Sequence, residues 1–169
     1  TLFIDEAYSL SYADDRSGDS FKKEALEQII AFLDDAENRK RCCIIFAGYE
    51  RDMQGLYRSN AGMRSRIEEV RFRDYTASET YEIFALFCRK NGFAISPGVA
   101  ERYIPAFEHL RTLEYFSNGR TARTIFEKTA ARMKRRVVRS GDIPDELKRT
   151  ITLDDLLSPG EMISEVGTA

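Results

Sequence analysis

The acidic pair Asp5-Glu6 is the first feature of the sequence that could do chemistry. It follows the short apolar run of residues 1–4, which predicts a buried strand. Ligand sites in open parallel sheets lie outside the carboxyl ends of the strands. Two carboxylates there can hold Mg²⁺ through water and activate an attacking water molecule. Such a pair is also common by chance, so alone it is weak evidence for a catalytic site.

Two arginines, Arg64 and Arg66, form a second candidate group in the turn-like segment 60–66 (NAGMRSR). A guanidinium is a permanently charged fork that suits the charge developing on a transferring phosphoryl group. An arginine that contacts the phosphoryl group in this way, called an arginine finger, can raise the rate of the reaction by roughly 10³ to 10⁵. A solvated basic turn has the same composition, so the segment by itself is compatible with both interpretations.

Arg120 and Arg123 form a third group, one helical turn apart at the start of a predicted helix. The N-terminal end of a helix dipole is unfavourable for cations, which indicates that something anionic compensates these side chains. Either a phosphate or a nearby carboxylate would do so.

The elements that must position the first two groups read as an α/β layer. After the strand at residues 1–4 and a polar loop at 11–20, apolar residues recur at helical spacing and predict one helix of about 18 residues. The apolar run 42–47 then predicts a second strand buried on both faces, and residues 67–72 predict a third. Strand, helix and strand in this order favour a parallel sheet.

From residue 76 onward the pattern is helical. Thr76 and Glu79 form a T-x-x-E capping box, Ser96-Pro97 predicts a second helix start, and residues 121–138 predict a long last helix. Along that helix four arginines repeat at helical spacing and are interpreted as a solvated face: Arg132, Arg135, Arg136 and Arg139. We therefore expect an α/β unit at 1–75, an all-helical unit at 76–157 and a loose tail at 158–169.

Taken together, the order and spacing of three segments resemble the CbxX/CfqX family of AAA+ ATPases. That family includes red-type Rubisco activases, stage V sporulation protein K and type VII secretion ATPases. Residues 1–7 (TLFIDEA) are similar to a Walker B strand, residues 45–49 (IFAGY) to the sensor 1 strand, and residues 59–66 (SNAGMRSR) to the arginine-finger segment. The resemblance extends to about residue 157 and implies a partial parallel-sheet AAA+ core, the Walker B half only, followed by an all-helical lid.

The resemblance implies roles for single residues. Asp5 would ligate Mg²⁺, and Glu6 would polarise the water that attacks ATP. Arg66, with Arg64 as the rival candidate, would reach the γ-phosphate of a neighbouring subunit. Arg120 would be the sensor 2 residue of the lid, with Arg123 as the alternative.

The polar loop 11–20 lies where such rings place a second pore loop, so the resemblance implies that Tyr12 and its neighbours touch a substrate protein. At the sensor 1 position this chain has Gly48-Tyr49 where many AAA+ proteins have Asn or Thr. That replacement leaves the role of Tyr49 toward the nucleotide open. The larger departure is the phosphate-binding loop, because the 169 residues contain no G-x-x-x-x-G-K-[ST] segment. We therefore expect the chain to be a part of a longer protein; the alternative is a short natural protein that borrows the missing half from a partner.

The composition limits the remaining function classes. The formal net charge is -2, which provides no general attraction to nucleic acid or to anionic membranes, and no apolar run is long enough to span a bilayer. The three cysteines have no metal-ligand spacing and are interpreted as reduced packing residues. We expect a cytoplasmic protein that uses ATP and Mg²⁺, forms a homo-oligomeric ring, a hexamer in the parent protein, and remodels a protein client. The alternative is a non-enzymatic protein-interaction module.

Overall fold

The computed structural model describes residues 1–12, 20–141 and 143–167. The chain forms two compact units, Thr1–Arg71 and Phe72–Ala169. Each unit is described by itself.

The described residues of the first unit, 1–12 and 20–71, combine two short strands with three helices. Within its described residues, β1 and β2 pair in parallel with Leu2 opposite Ile44 and Ile4 opposite Phe46. A single 3₁₀ turn follows β1 at Ala7–Leu10. The elements are β1 (Leu2–Ile4), α1 (Ser20–Asp34), α2 (Ala36–Arg41), β2 (Ile44–Phe46) and α3 (Glu50–Ser59).

The single helix expected between the strands is divided in two. Asp35 has an extended backbone, and its carboxylate accepts hydrogen bonds from the N–H groups of Glu37 and Asn38 at 2.7 and 3.2 Å. An aspartate in this arrangement caps a new helix start, so the chain begins α2 immediately after α1 ends. The parallel strand–helix–strand order itself is confirmed.

Two expectations about the strands are wrong. The strands are not buried on both faces, because the side chains of Phe3 and Ile45 are 60% and 45% exposed. Residues 67–72 form no strand, since they lie in the irregular segment between α3 and the next helix. A strand needs neighbours to supply ladder hydrogen bonds and to cover its faces, and the described part of this unit offers too few.

The core of the first unit is small. Its buried members come from the 3₁₀ turn, α1, α3 and the loop after α3, and they are Ala7, Leu26, Met53, Leu56 and Met63. This cluster fixes the turn that follows the acidic pair against the helix that follows β2. The packing therefore stabilises the region next to the carboxyl ends of both strands.

The second unit is helical apart from one pair of two-residue parallel strands. Its elements are α4 (Ala77–Lys90), β3 (Ala94–Ile95), α5 (Val99–Leu110), α6 (Gly119–Ser140), α7 (Asp145–Lys148), β4 (Thr150–Ile151) and α8 (Pro159–Gly167). The capping box of α4 is confirmed, with Glu79 N–H donating to Thr76 Oγ1 and the Glu79 carboxylate accepting from Thr76 N–H. The second helix begins at Val99 rather than at Pro97, because Gly98 takes a left-handed backbone with φ 88°.

The expected loose tail does not fit the structure, since residues 159–167 form α8. Met162 and Val166 are one turn apart on that helix and are buried in the main cluster of the unit. The Glu161 carboxylate accepts from Ser158 N–H and its hydroxyl, both at 2.8 Å, which is the S-x-x-E arrangement of a helix start. That signal is present in the sequence and was overlooked.

The arginine stripe of α6 agrees only in part with the expectation of a solvated face: Arg135 and Arg139 are exposed, whereas Arg132 and Arg136 form ion pairs. Arg136 donates to both oxygens of Asp155 at 2.9 and 3.0 Å, and Asp155 is fully buried. Arg132 pairs with Glu161 and donates to the Leu156 carbonyl. These two side chains therefore fasten the C-terminal segment to α6.

Candidate functional site

The acidic pair and Tyr49 lie at the same end of the first sheet. β1 and β2 are parallel, so Asp5 directly follows one strand while Ala47, Gly48 and Tyr49 follow the other. The two exits are tied by backbone hydrogen bonds, Ala47 N–H to the Ile4 carbonyl and Ala7 N–H to the Ala47 carbonyl, both 2.9 Å long. The carboxyl ends of neighbouring parallel strands are where α/β sheets place ligands.

Glu6 has an unusual backbone for its residue type. Its φ and ψ are 49° and 42°, in the left-handed region that non-glycine residues seldom occupy. The N–H of Glu6 donates to Asp5 Oδ1 at 3.0 Å, and both residues are exposed. Backbone strain of this kind is found preferentially at functional sites, where the surrounding structure maintains it.

The glycine of the Gly48-Tyr49 pair has a packing reason. A Cβ atom at Gly48 would lie 2.9 Å from Met53 Sδ and 3.0 Å from the ring of Tyr8. Any side chain there would displace one of these neighbours. Tyr49 is the N-cap residue that precedes α3, with its side chain 68% exposed and its ring centre 6.5 Å from that of Tyr8.

Tyr8 is a neighbour of the acidic pair that the sequence reasoning missed. Burial raises the pKa of its phenol, and the negative charges of Glu6 and Asp52 raise that pKa further. The phenol therefore stays protonated and can donate a hydrogen bond toward a carboxylate or a water molecule. Its position three residues after Asp5 was the available signal.

Residues 59–66, the segment expected to contain an arginine finger, are held by a carboxylate of α1. Arg66 donates from Nε and Nη2 to the two oxygens of Asp34 at 2.6 and 3.0 Å, and from Nη1 to the Gly62 carbonyl at 2.8 Å. A Cβ atom at Gly62 would lie 2.6 Å from Arg66 Nη1, so only glycine leaves room for this arrangement. The hydrogen bond from Arg66 lowers the pKa of Asp34, and the same bond raises the pKa of Arg66.

The rival arginine has a different environment. Arg64 is exposed, and its guanidinium carbon lies 5.9 Å from the centre of the Tyr57 ring. Among the residues that the structure describes, no carboxylate pairs with Arg64. Arg66 thus fixes the segment in this conformation, whereas Arg64 makes only a cation–π contact.

Arg120 and Arg123 belong to the second unit. Both are exposed in the first turn and a half of α6, and Arg123 lies 5.3 Å from the centre of the Phe87 ring. Arg120 forms no ion pair with any other residue within the described ranges. The carboxylate that the sequence allowed as their anionic partner is therefore not found in that part of the chain.

The carboxylates of the acidic pair fit Mg²⁺ if substrate phosphates and water supply the remaining ligands. Within residues 1–12, 20–141 and 143–167, no group of three or more His, Cys, Asp or Glu side chains could hold a metal ion. Mg²⁺ usually keeps several waters and binds through one or two carboxylates together with substrate phosphates. An exposed Asp5 beside Glu6 matches that donor set, with Asp5 as the metal ligand and Glu6 as a base toward water.

Two family models match the chain, one in each of its two parts. Residues 1–75 match the model of the ATPase family associated with various cellular activities (AAA). Residues 76–165 match the model of the AAA lid domain. The chain belongs to the AAA family of ATPases. Its first unit corresponds to part of the AAA domain and its second unit to the AAA lid.

Curated relatives agree with the CbxX/CfqX branch. The chain is 34% identical over 135 residues to ESX-1 secretion system protein EccA1 of Mycobacterium tuberculosis (strain ATCC 25618 / H37Rv), covering 75% of this chain and 23% of that protein. It is 31% identical to Protein CbbX of Cereibacter sphaeroides, covering 90% and 48%. It is 33% identical to the chloroplastic ribulose bisphosphate carboxylase/oxygenase activase of Cyanidioschyzon merolae, covering 95% and 55%. The chain thus covers between about a quarter and about half of the length of these relatives.

The first unit therefore brings Asp5, Glu6 and Tyr49 to the same end of its sheet. In the same unit, Asp34 holds Arg66 by an ion pair. The backbone of Tyr12 donates to Ser59 Oγ at 2.9 Å, whereas most of the expected pore loop, residues 13–19, lies outside the described residues. None of the helices in the described part of the chain is long and apolar enough to cross a membrane.

Proposed function

We propose that this chain is the hydrolysis and sensing part of an ATP-driven motor that remodels a protein client. The observation that carries the proposal is the parallel pairing of β1 and β2, which puts Asp5, Glu6 and Tyr49 at one end of an AAA sheet. Two carboxylates in that position suit a Mg²⁺-dependent attack of water on a phosphate chain.

The residues of the first unit divide the work of hydrolysis. Asp5 would hold Mg²⁺, which when bound would neutralise charge on the phosphates, and Glu6 would accept a proton from the attacking water. Tyr49 lies exposed at the neighbouring strand exit, where its hydroxyl can contact the nucleotide or that water. The protonated phenol of Tyr8 supports the orientation of Glu6.

The arginines act across subunits and through the lid. Arg66 or Arg64 reaches the γ-phosphate bound to a neighbouring chain, which requires a homo-oligomeric ring, a hexamer in the family's usual assembly. Arg120, with Arg123 one turn further, senses the phosphates from the lid. The 169 residues contain no phosphate-binding loop, so this chain alone is not expected to turn over ATP.

The client class that we propose is protein, in the cytoplasm. The relatives' names point to different clients, since one is a secretion system protein and another a Rubisco activase. An interaction module without hydrolysis is a second candidate. It is favoured by the exposed apolar side chains of the first sheet, Leu2, Phe3 and Ile45.

The test is Glu6→Gln in the full-length protein that carries this chain. Glutamine keeps the size of the side chain but cannot accept the proton, so we expect ATP binding to persist while turnover falls at least about 100-fold. Binding is measured by calorimetry and turnover by phosphate release. Glu24→Gln, a matched change on the exposed surface of α1, should leave both unchanged. Wild-type turnover in Glu6→Gln would contradict the role given to Glu6, whereas an unmutated full-length protein without ATP turnover would favour the interaction module.

A further inference from the structure

The side chain of Asn118 ties together two segments that are far apart in sequence. Tyr75 N–H donates to Asn118 Oδ1 at 2.8 Å, and Asn118 Nδ2 donates to Asp74 Oδ1 at 2.7 Å. The residues joined by these two hydrogen bonds are 43 and 44 positions apart in the sequence. We name the set Asp74, Tyr75 and Asn118 the Asn118 clamp.

Asparagine is the residue type that satisfies this position fully. The clamp needs an acceptor for the Tyr75 N–H and a donor for the Asp74 carboxylate, and an amide carries both. Aspartate would instead place a second carboxylate against Asp74. The backbone of Asn118 has φ 50° and ψ -117°, a strained region that a bulky or β-branched residue avoids.

The clamp joins the start of α6 to the segment that precedes α4. On one side, Gly119 directly follows Asn118, and Arg120 lies in the first turn of α6. On the other side, Arg73 donates to the two oxygens of Glu79 at 2.8 and 2.6 Å, beside the capping box of α4. Residues 73–76 are therefore held to both helices, whereas residues 67–72 before them have no regular structure.

We propose that Asn118 is a positioning residue that couples Arg120 to residues 73–76, the segment that precedes α4 within the second unit. The proposal rests on the sensing role given above to Arg120. Because the clamp makes residues 73–76 move with the start of α6, a displacement of Arg120 toward a phosphate is transmitted to the incoming chain.

The clamp is tested first in the chain as it stands, with Asn118→Gly. Glycine adopts a positive φ without strain, so the backbone of the helix start is retained while the amide is removed. We expect the Tyr75 amide hydrogen to exchange about tenfold faster, measured by NMR hydrogen exchange. The control is Asn91→Gly, which removes an exposed asparagine whose Nδ2 donates to the Phe87 carbonyl at 2.9 Å. An unchanged Tyr75 exchange rate in Asn118→Gly would overturn the clamp.

The coupling is tested by ATP turnover of the full-length protein in Asn118→Gly, Arg120→Ala and the double variant. If Asn118 acts through Arg120, the double variant should lose no more kcat than Arg120→Ala alone. Losses that multiply would show independent, merely structural effects and would overturn the coupling. Glu6→Gln is included as the hydrolysis control. If it turns over like the wild type, the proposed function fails and the coupling with it, while faster Tyr75 exchange would still establish the clamp.

Discussion

Each unit contains an aspartate–arginine pair with two hydrogen bonds, but the two pairs differ in burial. Asp155 is completely buried, and its partner Arg136 is 20% exposed. Asp34 is 52% exposed and Arg66 32% exposed. Separating a buried pair leaves a charge without compensation, whereas an exposed pair exchanges its partner for water at little cost. The lid pair is therefore structural, while the pair in the first unit can release Arg66 to another anion.

The largest expected effect is that of Asp155→Ala. The carboxylate also accepts from Thr152 N–H and the Thr152 hydroxyl at 2.8 and 3.0 Å, so its removal orphans several donors at once. Because Arg136 keeps some access to water, we expect a loss near the lower end of the range for broken buried pairs, about 3 kcal/mol. Chemical denaturation of the second unit measures it.

The contrast between the pairs is sharpened by Asp34→Ala, with chemical denaturation followed this time in the first unit, which contains Asp34. Since that pair is exposed, its removal should leave the unfolding midpoint unchanged within error. Asp145→Ala, which breaks an exposed pair with Lys148 in the second unit, is the matched control and should also be neutral. Equal losses for Asp155→Ala and Asp34→Ala would contradict the difference between the two pairs.

We expect a smaller loss of stability at acidic pH, caused by the protonation of two carboxylates at the starts of lid helices. The hydrogen bond from Arg73, followed by that from the Thr76 N–H, lowers the pKa of Glu79 from 4.5 to about 2. The N–H and hydroxyl of Ser158, with Arg132, lower the pKa of Glu161 from 4.5 to about 2 as well. Groups with a depressed folded pKa stabilise the fold above the unfolded value, and that contribution is lost as the pH falls.

We therefore expect the melting temperature of the second unit to fall as the pH is lowered from about 4.5 toward 2. In the double variant Glu79→Gln/Glu161→Gln this part of the pH dependence should be flatter, because glutamine does not titrate. The measurement is a series of thermal melts followed by circular dichroism. A profile as steep as that of the wild type would show that other carboxylates carry the acid sensitivity.

Local signals in the sequence predicted much of the fold. The capping box at Thr76 and Glu79 predicted the start of α4, and the order strand, helix, strand predicted the parallel sheet. The same kind of signal at Ser158 and Glu161 marks the start of α8, where a loose tail was expected. A strand at 67–72 failed because β structure depends on partners that a local pattern does not reveal.

The candidate site divides in the same way. The proximity of Asp5, Glu6 and Tyr49 follows from two parallel strands and needs no side-chain detail. The partners Asp34 and Asn118 were not predicted, because their contacts join residues 32 and 44 positions apart. Such contacts depend on how helices pack, which one sequence without its fold does not specify.

The central claim is that a catalytic site combines Glu6 of one chain with an arginine of its neighbour. It is tested by mixing full-length Glu6→Gln protein with full-length protein carrying Arg66→Ala, and separately Arg64→Ala, and measuring ATP turnover. Glu6→Gln should be inactive alone, and so should the alanine variant of whichever arginine completes the site. In mixed rings, an intact Glu6 then meets an intact arginine at some interfaces, and turnover should reappear for the arginine that is the finger. Rings shown to be mixed that stay inactive with both arginine variants would contradict the account.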